Sequence, residues 1–205
     1  MAESIVFNAD CMEVMRQYPD GYFDLAVVDP PYGINAGKMT MGSGKNKKFR
    51  KGKDWDSGIP SAEYFTELFR VSKNQIIWGG NYFTEFLPPS RNWLVWDKKN
   101  AGRSFAEGEL AWMRDGNGLR IFPFCSTHQG VKYHPTQKPI ALYDWIFAKY
   151  AKPGFKILDT HLGSGSSRIA AHNAGLGFVG IEIDPEYFQM SVERFDDATA
   201  QMSLT

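Results

Sequence analysis

Leu25-Ala26-Val27-Val28-Asp29-Pro30-Pro31-Tyr32-Gly33 is the stretch from which the fold can be read. Four consecutive apolar residues suit a strand buried on both faces, as in a parallel sheet. The two prolines then end it, because each lacks an N–H and has a fixed φ. Asp29, the carbonyl of Pro30 and the ring of Tyr32 therefore sit beyond the carboxyl end of a strand, the edge at which open α/β sheets bind ligands. Those groups suit alkylation of an exocyclic amine on a nucleobase. Its lone pair is delocalised into the ring, so the amine reacts only when acceptors hold its two hydrogens out of plane. Asp29 and the Pro30 carbonyl are candidate acceptors, and Tyr32 is placed to stack on a base flipped out of its helix.

Further along, residues 156–171 read as a strand, a glycine loop and a helix. Gly163 and Gly165 permit tight backbone geometry close to a ligand, and Ser166 or Ser167 is placed to cap the helix. Arg168 stands where a third glycine would complete G-x-G-x-x-G, and no Lys-Ser/Thr pair follows the loop, which argues against a P-loop. A second strand, residues 177–181, ends in Glu182. An acidic side chain about twenty positions beyond the glycines is placed for ribose hydroxyls. An adenosine cofactor without a pyrophosphate fits this arrangement.

Short apolar runs recur at residues 5–7, 25–28, 75–78, 93–96, 110–113, 119–124, 156–158 and 178–183. Helical periods appear at 12–18, 62–71, 140–150, 167–174 and 185–195. Alternation of the two predicts a doubly wound, mostly parallel α/β sheet with helices on both faces. Strands without a helix between residues 93 and 124 predict an antiparallel edge. The 205 residues, 43% of them apolar, suffice for one domain with a full core. The polar tail after Asp197 is expected to fray.

The tetrad Asp29-Pro30-Pro31-Tyr32 resembles the catalytic motif of the DNA amino-methyltransferases, chiefly of their adenine-N6 branch. Three further segments agree with that family. Asn8-Ala9-Asp10-Cys11 resembles the segment touching the cofactor's adenine, although Asp10 also reads as a plain helix cap. His134-Pro135-Thr136-Gln137-Lys138-Pro139 resembles the segment holding the methionine end, where Thr136 and Lys138 meet a carboxylate. Asp159-Thr160-His161-Leu162-Gly163-Ser164-Gly165 resembles the glycine loop, with Thr160 and His161 where the family usually has Pro and Phe. The order, tetrad first and glycine loop last, is that of the permuted β group, and the resemblance runs from residue 8 to about 192.

The resemblance implies a class I methyltransferase fold, S-adenosylmethionine as cofactor and DNA as partner. It places Asp29, Pro30, Pro31 and Tyr32 at the reacting base. It assigns Asp10, Cys11, Asp29, Thr136, Gln137, Lys138, Asp159, His161, Leu162, Gly163, Gly165, Ser166, Ser167 and Glu182 to the cofactor. The implied reaction is direct methyl transfer to adenine N6, with no metal. Cytosine N4 is the alternative, although that branch more often carries Ser at position 29. A non-catalytic subunit of the same fold is a rival from another class.

Lys plus Arg and Asp plus Glu both number 23, so no global charge announces DNA. Between residues 38 and 53, however, there are seven basic residues and no acidic one. Lys45, Lys47, Lys48, Arg50 and Lys51, in a basic loop at about 37–58, are candidate phosphate contacts. A disordered excursion is the other reading of this loop. Residues 98–133 are the expected recognition region, and its shortness implies either a short or relaxed target or the help of a homodimer or second subunit. Cys11 and Cys125 make no disulfide framework, and Cys125-x-x-His128 fits no standard zinc spacing. Without a signal pattern or a long apolar run, a cytoplasmic protein is expected.

Overall fold

The computed structural model of the chain describes residues 2–36, 54–102, 106–125 and 131–202. Among them, one sheet holds eight strands: β1 (Ser4–Asn8), β2 (Phe23–Val28), β3 (Ser72–Trp78), β4 (Trp93–Asp97), β5 (Gly108–Met113), β6 (Arg120–Pro123), β7 (Lys156–Asp159) and β8 (Gly177–Glu182). Their spatial order is β1-β8-β7-β2-β3-β5-β4-β6. The α-helices are α1 (Cys11–Met15), α2 (Ala62–Val71), α3 (Ile140–Tyr150), α4 (Ser166–Asn173) and α5 (Pro185–Met202).

Period two explains why β2 reads as continuously apolar. Leu25 and Val27 join a cluster with Ile76, Trp78, Leu142 and Ile146, while Ala26 and Val28 join a second with Phe65, Leu68 and Ile77. Helices α3 and α4 feed the first cluster; α1 and α2 feed the second. Both faces of the sheet are thus covered, as expected of a doubly wound fold.

Two helix ends differ from expectation. Helix α1 stops at Met15, because the Gln17 and Tyr18 amides turn back to Val14 and Met15 three residues earlier and Pro19 follows. Helix α5 continues to Met202 instead of fraying after Asp197. Ala198 and Ala200 are strong helix formers, and the Thr199 hydroxyl donates to the Phe195 carbonyl at 3.0 Å.

The antiparallel element also lies elsewhere than the edge. Strand β5 runs against both β3 and β4, whereas the edge strand β6 runs parallel to β4. This single reversal matters for the site. Strands β1, β8, β7, β2, β3 and β4 all end at one edge of the sheet, and β5 begins there, with Glu109 opposite Trp96.

Candidate active site

Strand β2 delivers Asp29 to that edge, and the residues that meet it come from far along the chain. The Tyr32 hydroxyl donates to Asp29 Oδ1 at 2.5 Å, and Lys138 Nζ donates to Oδ2 at 2.5 Å. Lys138, just before α3, is almost completely buried, over the rings of Trp78 and Tyr32. Its ammonium also lies 2.9 Å from Glu109 Oε2, an ion-pair contact whose angle does not make a hydrogen bond. The other oxygen of Glu109 is 2.6 Å from Lys98 Nζ. The result is a chain of alternating charge: Asp29, Lys138, Glu109, Lys98.

The charges set one another. Burial alone would raise Glu109, but the ammonium groups of Lys138 and Lys98 overcome it and hold its carboxyl at about 2. Burial opposes the charged form of Lys138, yet Asp29 and Glu109 together push its pKa above the ordinary lysine value. Burial raises Asp29 above the usual carboxylate range, with Glu109 adding and Lys138 and Tyr32 opposing. The Tyr32 hydroxyl is driven well up by burial and by the nearby Asp29 and Glu109 charges, which keeps it a donor.

The loop after Asp29 is clamped by a residue that no motif marks. Asp56 is buried, and its side chain accepts from the amides of Tyr32, Gly33 and Ala36 at 2.7, 2.9 and 2.8 Å. Its carbonyl accepts from Asn35 N at 2.9 Å. One carboxylate thereby fixes the turn that carries Tyr32. The Tyr32 ring stacks on exposed Tyr82 at 4.9 Å and 11°. It also lies over Gly79, whose φ is +70° and where a Cβ would come within 2.1 Å of the ring. Only glycine fits there.

Beside Asp29, a cavity of about 330 Å³ reaches across the ends of β1, β8 and β7. Asp10, Cys11, Asp29, Thr136, Gln137, Lys138, His161, Leu162, Gly163, Ser166 and Glu182 line it, as do Pro31, Trp55, His134 and Tyr187. Glu182 accepts from the Gly163 and Asp184 amides at 2.8 and 2.9 Å, so it also fastens the glycine loop to the end of β8. Asp10 caps α1 through the Met12 amide at 2.7 Å while facing the cavity, so the two readings of that residue are compatible. Burial, with Asp10 adding, pushes the Cys11 thiol up to about 12, and burial holds His161 at about 4, so the imidazole is neutral at pH 7.

Several expected cofactor contacts stand elsewhere. Asp159, Gly165 and Ser167 do not line the cavity. Asp159 lies behind the loop, accepting from the His161 amide and the Ser167 hydroxyl, and burial raises its carboxyl to about 7. Neither serine caps α4, whose N-cap is Gly165 in the left-handed region. Ser166 instead accepts from Arg194 at 2.9 Å. Gln137 turns to the Tyr133 amide, and Lys138 spends its charge on Asp29 and Glu109 rather than being held for a cofactor carboxylate. Pro30 is buried directly after Asp29. Lys45, Lys47, Lys48, Arg50 and Lys51 lie outside the described residues, as does His128.

No motif marks Glu109, Asp56 or Trp55. Lys98 falls at the start of the expected recognition region. Their positions depend on the reversal of β5 and on the return of the chain to the turn after Asp29, neither of which leaves a local signal.

The sequence model of the DNA methylase family, N6_N4_Mtase, matches residues 75–193, more than half of the chain. The chain belongs to this family. The Asp29 tetrad lies before the matched segment, so membership rests on the later elements, glycine loop included. Among curated family relatives, Type II methyltransferase M.HpaI of Haemophilus parainfluenzae is 34% identical over 87 residues, which are 41% of this chain and 28% of that protein. DNA adenine methyltransferase YhdJ of Escherichia coli is 42% identical over 66 residues, which are 32% of this chain and 22% of that protein. The matched stretches thus span under a third of either relative. The methylase fold is shared more widely: a complex of M1.HpyAVI with SAM superposes with a TM-score of 0.65 at 20% identity, covering 96% of this chain and 100% of that one. The cytosine-N4-specific PvuII DNA methyltransferase gives 0.62 at 13% identity over 97% and 92%.

Proposed function

We propose that the chain transfers a methyl group from S-adenosylmethionine to the exocyclic N6 of adenine in DNA, on a base flipped from the helix. The observation that carries this reading is the opening of the Glu182 cavity onto Asp29. A carboxylate placed for ribose and a carboxylate placed for an amine border one space. The residues fit such a cofactor. Asp10 and Glu182 offer acceptors at the β1 and β8 ends, Leu162 and Tyr187 offer apolar and aromatic surface, and Trp55 holds a buried indole N–H without a partner among the described residues.

In this reading Asp10, Cys11, Thr136, Gly163 and Glu182 surround the cofactor, which supplies an electrophilic methyl when bound. Asp29 accepts one hydrogen of the adenine amine and the Pro30 carbonyl the other, freeing the lone pair for in-line attack. Both oxygens of Asp29 already carry a donor, yet each has a second lone pair, so the amine adds to Tyr32 and Lys138 without displacing them. The amine becomes acidic only as the new bond forms, so Asp29 need not be a strong base beforehand. Tyr32 presents its ring to the base, a step that requires Tyr82 to leave its face.

Adenine is preferred over cytosine because Asp occupies position 29 and because YhdJ, an adenine methyltransferase by name, is among the relatives. Lys45, Lys47, Lys48, Arg50 and Lys51 are proposed phosphate contacts, supported by the basic composition of their segment. A cytoplasmic setting is supported by two cysteines without a disulfide and, among the described residues, no helix long and apolar enough to cross a membrane. A short recognition region supports help from a second copy or subunit. The test is transfer of labelled methyl to duplex DNA, then nucleoside analysis by mass spectrometry. N6-methyldeoxyadenosine is expected; N4-methyldeoxycytidine alone would move the chain to the other branch, and no transfer to any DNA would sink the reading.

A further inference from the structure

Trp55 belongs to none of the motifs, yet it is held in the cofactor cavity by the clamp on the catalytic turn. Asp56 binds the amides of Tyr32, Gly33 and Ala36, which fixes its neighbour in the chain. The Trp55 ring lines the cavity and packs against His134 at 5.1 Å. His134 in turn packs on Tyr187 at 4.3 Å and lies beside Gly163. The indole Nε1 is buried and has no hydrogen-bond partner among the described residues. A buried donor left unpaired costs about 1–3 kcal/mol, so its retention at a cavity wall points to an acceptor on a ligand.

The acceptor follows from the distribution of charge around the cavity. Asp10, Asp29 and Glu182 are carboxylates and repel an anionic group, whereas the wall at Trp55 offers the indole N–H beside the His134 ring, itself hydrogen-bonded to the Thr136 hydroxyl. The Leu162, Gly163 and Gly165 amides of the glycine loop are taken by Ile181, Glu182 and Leu162. Lys138, the cation expected to hold a cofactor carboxylate, is committed to Asp29 and Glu109. Resting on the cofactor reading above, we propose that the Trp55 indole donates a hydrogen bond to the carboxylate at the amino-acid end of the adenosyl cofactor. Trp55 and Asp56 thus tie cofactor binding to the turn that carries Tyr32. Trp55 is a positioning residue and touches no reacting atom.

The test compares two ligands by calorimetry: S-adenosylhomocysteine, which has the carboxylate, and 5′-methylthioadenosine, which lacks the whole amino-acid end. Trp55→Phe keeps an aromatic ring and removes only the donor. It should weaken S-adenosylhomocysteine binding about tenfold, typical of a hydrogen bond to a charged group, and leave 5′-methylthioadenosine unchanged. The wild-type chain gives a readout independent of the variant's stability: the indole N–H resonance missing from Trp55→Phe spectra should move downfield with S-adenosylhomocysteine and stay in place with 5′-methylthioadenosine. Unchanged affinity for both ligands, equal losses on both, or a resonance that ignores S-adenosylhomocysteine would overturn the inference while leaving the cofactor reading intact. A wild-type chain that binds neither ligand would overturn that reading, and this inference with it.

Discussion

The two ends of the ligand edge are built by different means. At the ends of β7 and β8, the acidic side chains are fixed mostly by backbone amides and hydroxyls of near neighbours: Asp159 by His161 and Ser167, Glu182 by Asp184 and, across the loop, Gly163. At the ends of β2, β4 and β5, the acidic side chains are fixed by ammonium groups from distant segments: Asp29 by Lys138, and Glu109 by Lys138 and Lys98. The first side holds its carboxylates with short local stitches. The second holds them with opposite charge in a dry setting, where removing one member strands the others.

The largest effect should come from Asp29, where the charge chain meets the proposed substrate. Asp29→Ala should cut methyl transfer by about three orders of magnitude or more, since an acceptor at the amine is lost. Cofactor affinity should hold. Calorimetry paired with labelled transfer checks both, and near-normal turnover would remove Asp29 from the chemistry.

Lys138→Met tests the charge chain itself. Two buried carboxylates would then face each other without the cation between them, a loss of about 3–5 kcal/mol in urea unfolding. Adding Glu109→Gln to that variant should restore part of the stability, because one of the stranded charges is gone. Strict additivity of the two substitutions would mean that the chain is not coupled.

On the other side, Glu182→Ala should weaken cofactor binding by roughly 1.5–3 kcal/mol, the range for hydrogen bonds to a charged group. It also frees the Gly163 amide, so the loss should exceed that of Asp10→Asn, which leaves the glycine loop fastened. Equal calorimetric affinities for wild type and Glu182→Ala would take Glu182 out of the site.

The smallest effect is a matter of pH. His161 is depressed from 6.5 to about 4, so its neutral form contributes stability that is present above 6.5 and lost as pH falls toward 4. Asp159 is raised from 3.8 to about 7, so its contribution is present below 3.8 and lost as pH rises toward 7. Between about 4 and 6.5 the two oppose each other in the same loop. Relative to wild type, the stability of His161→Phe should therefore fall with rising pH in this window and that of Asp159→Asn should rise, each by about 1 kcal/mol per pH unit. Thermal melts across the window check the signs; parallel profiles for all three proteins would show that neither group titrates as its burial implies.

The sequence by itself determined the strand and helix alternation, the parallel core of the sheet, the tetrad at the end of β2 and the glycine loop ending against Glu182. Each is set by residues adjacent in the chain: apolar runs of period two, prolines that stop a strand, glycines that let a loop turn. Tertiary structure alone decided that Lys138 serves Asp29, 109 residues away, that the reversal of β5 brings Glu109 to the edge where β4 presents Lys98, and that Asp56 closes the turn after Asp29 and sets Trp55 against the cavity. A charge acts through space in a medium of low dielectric, so its partner is fixed by which strand ends lie side by side. No spacing along the chain encodes that.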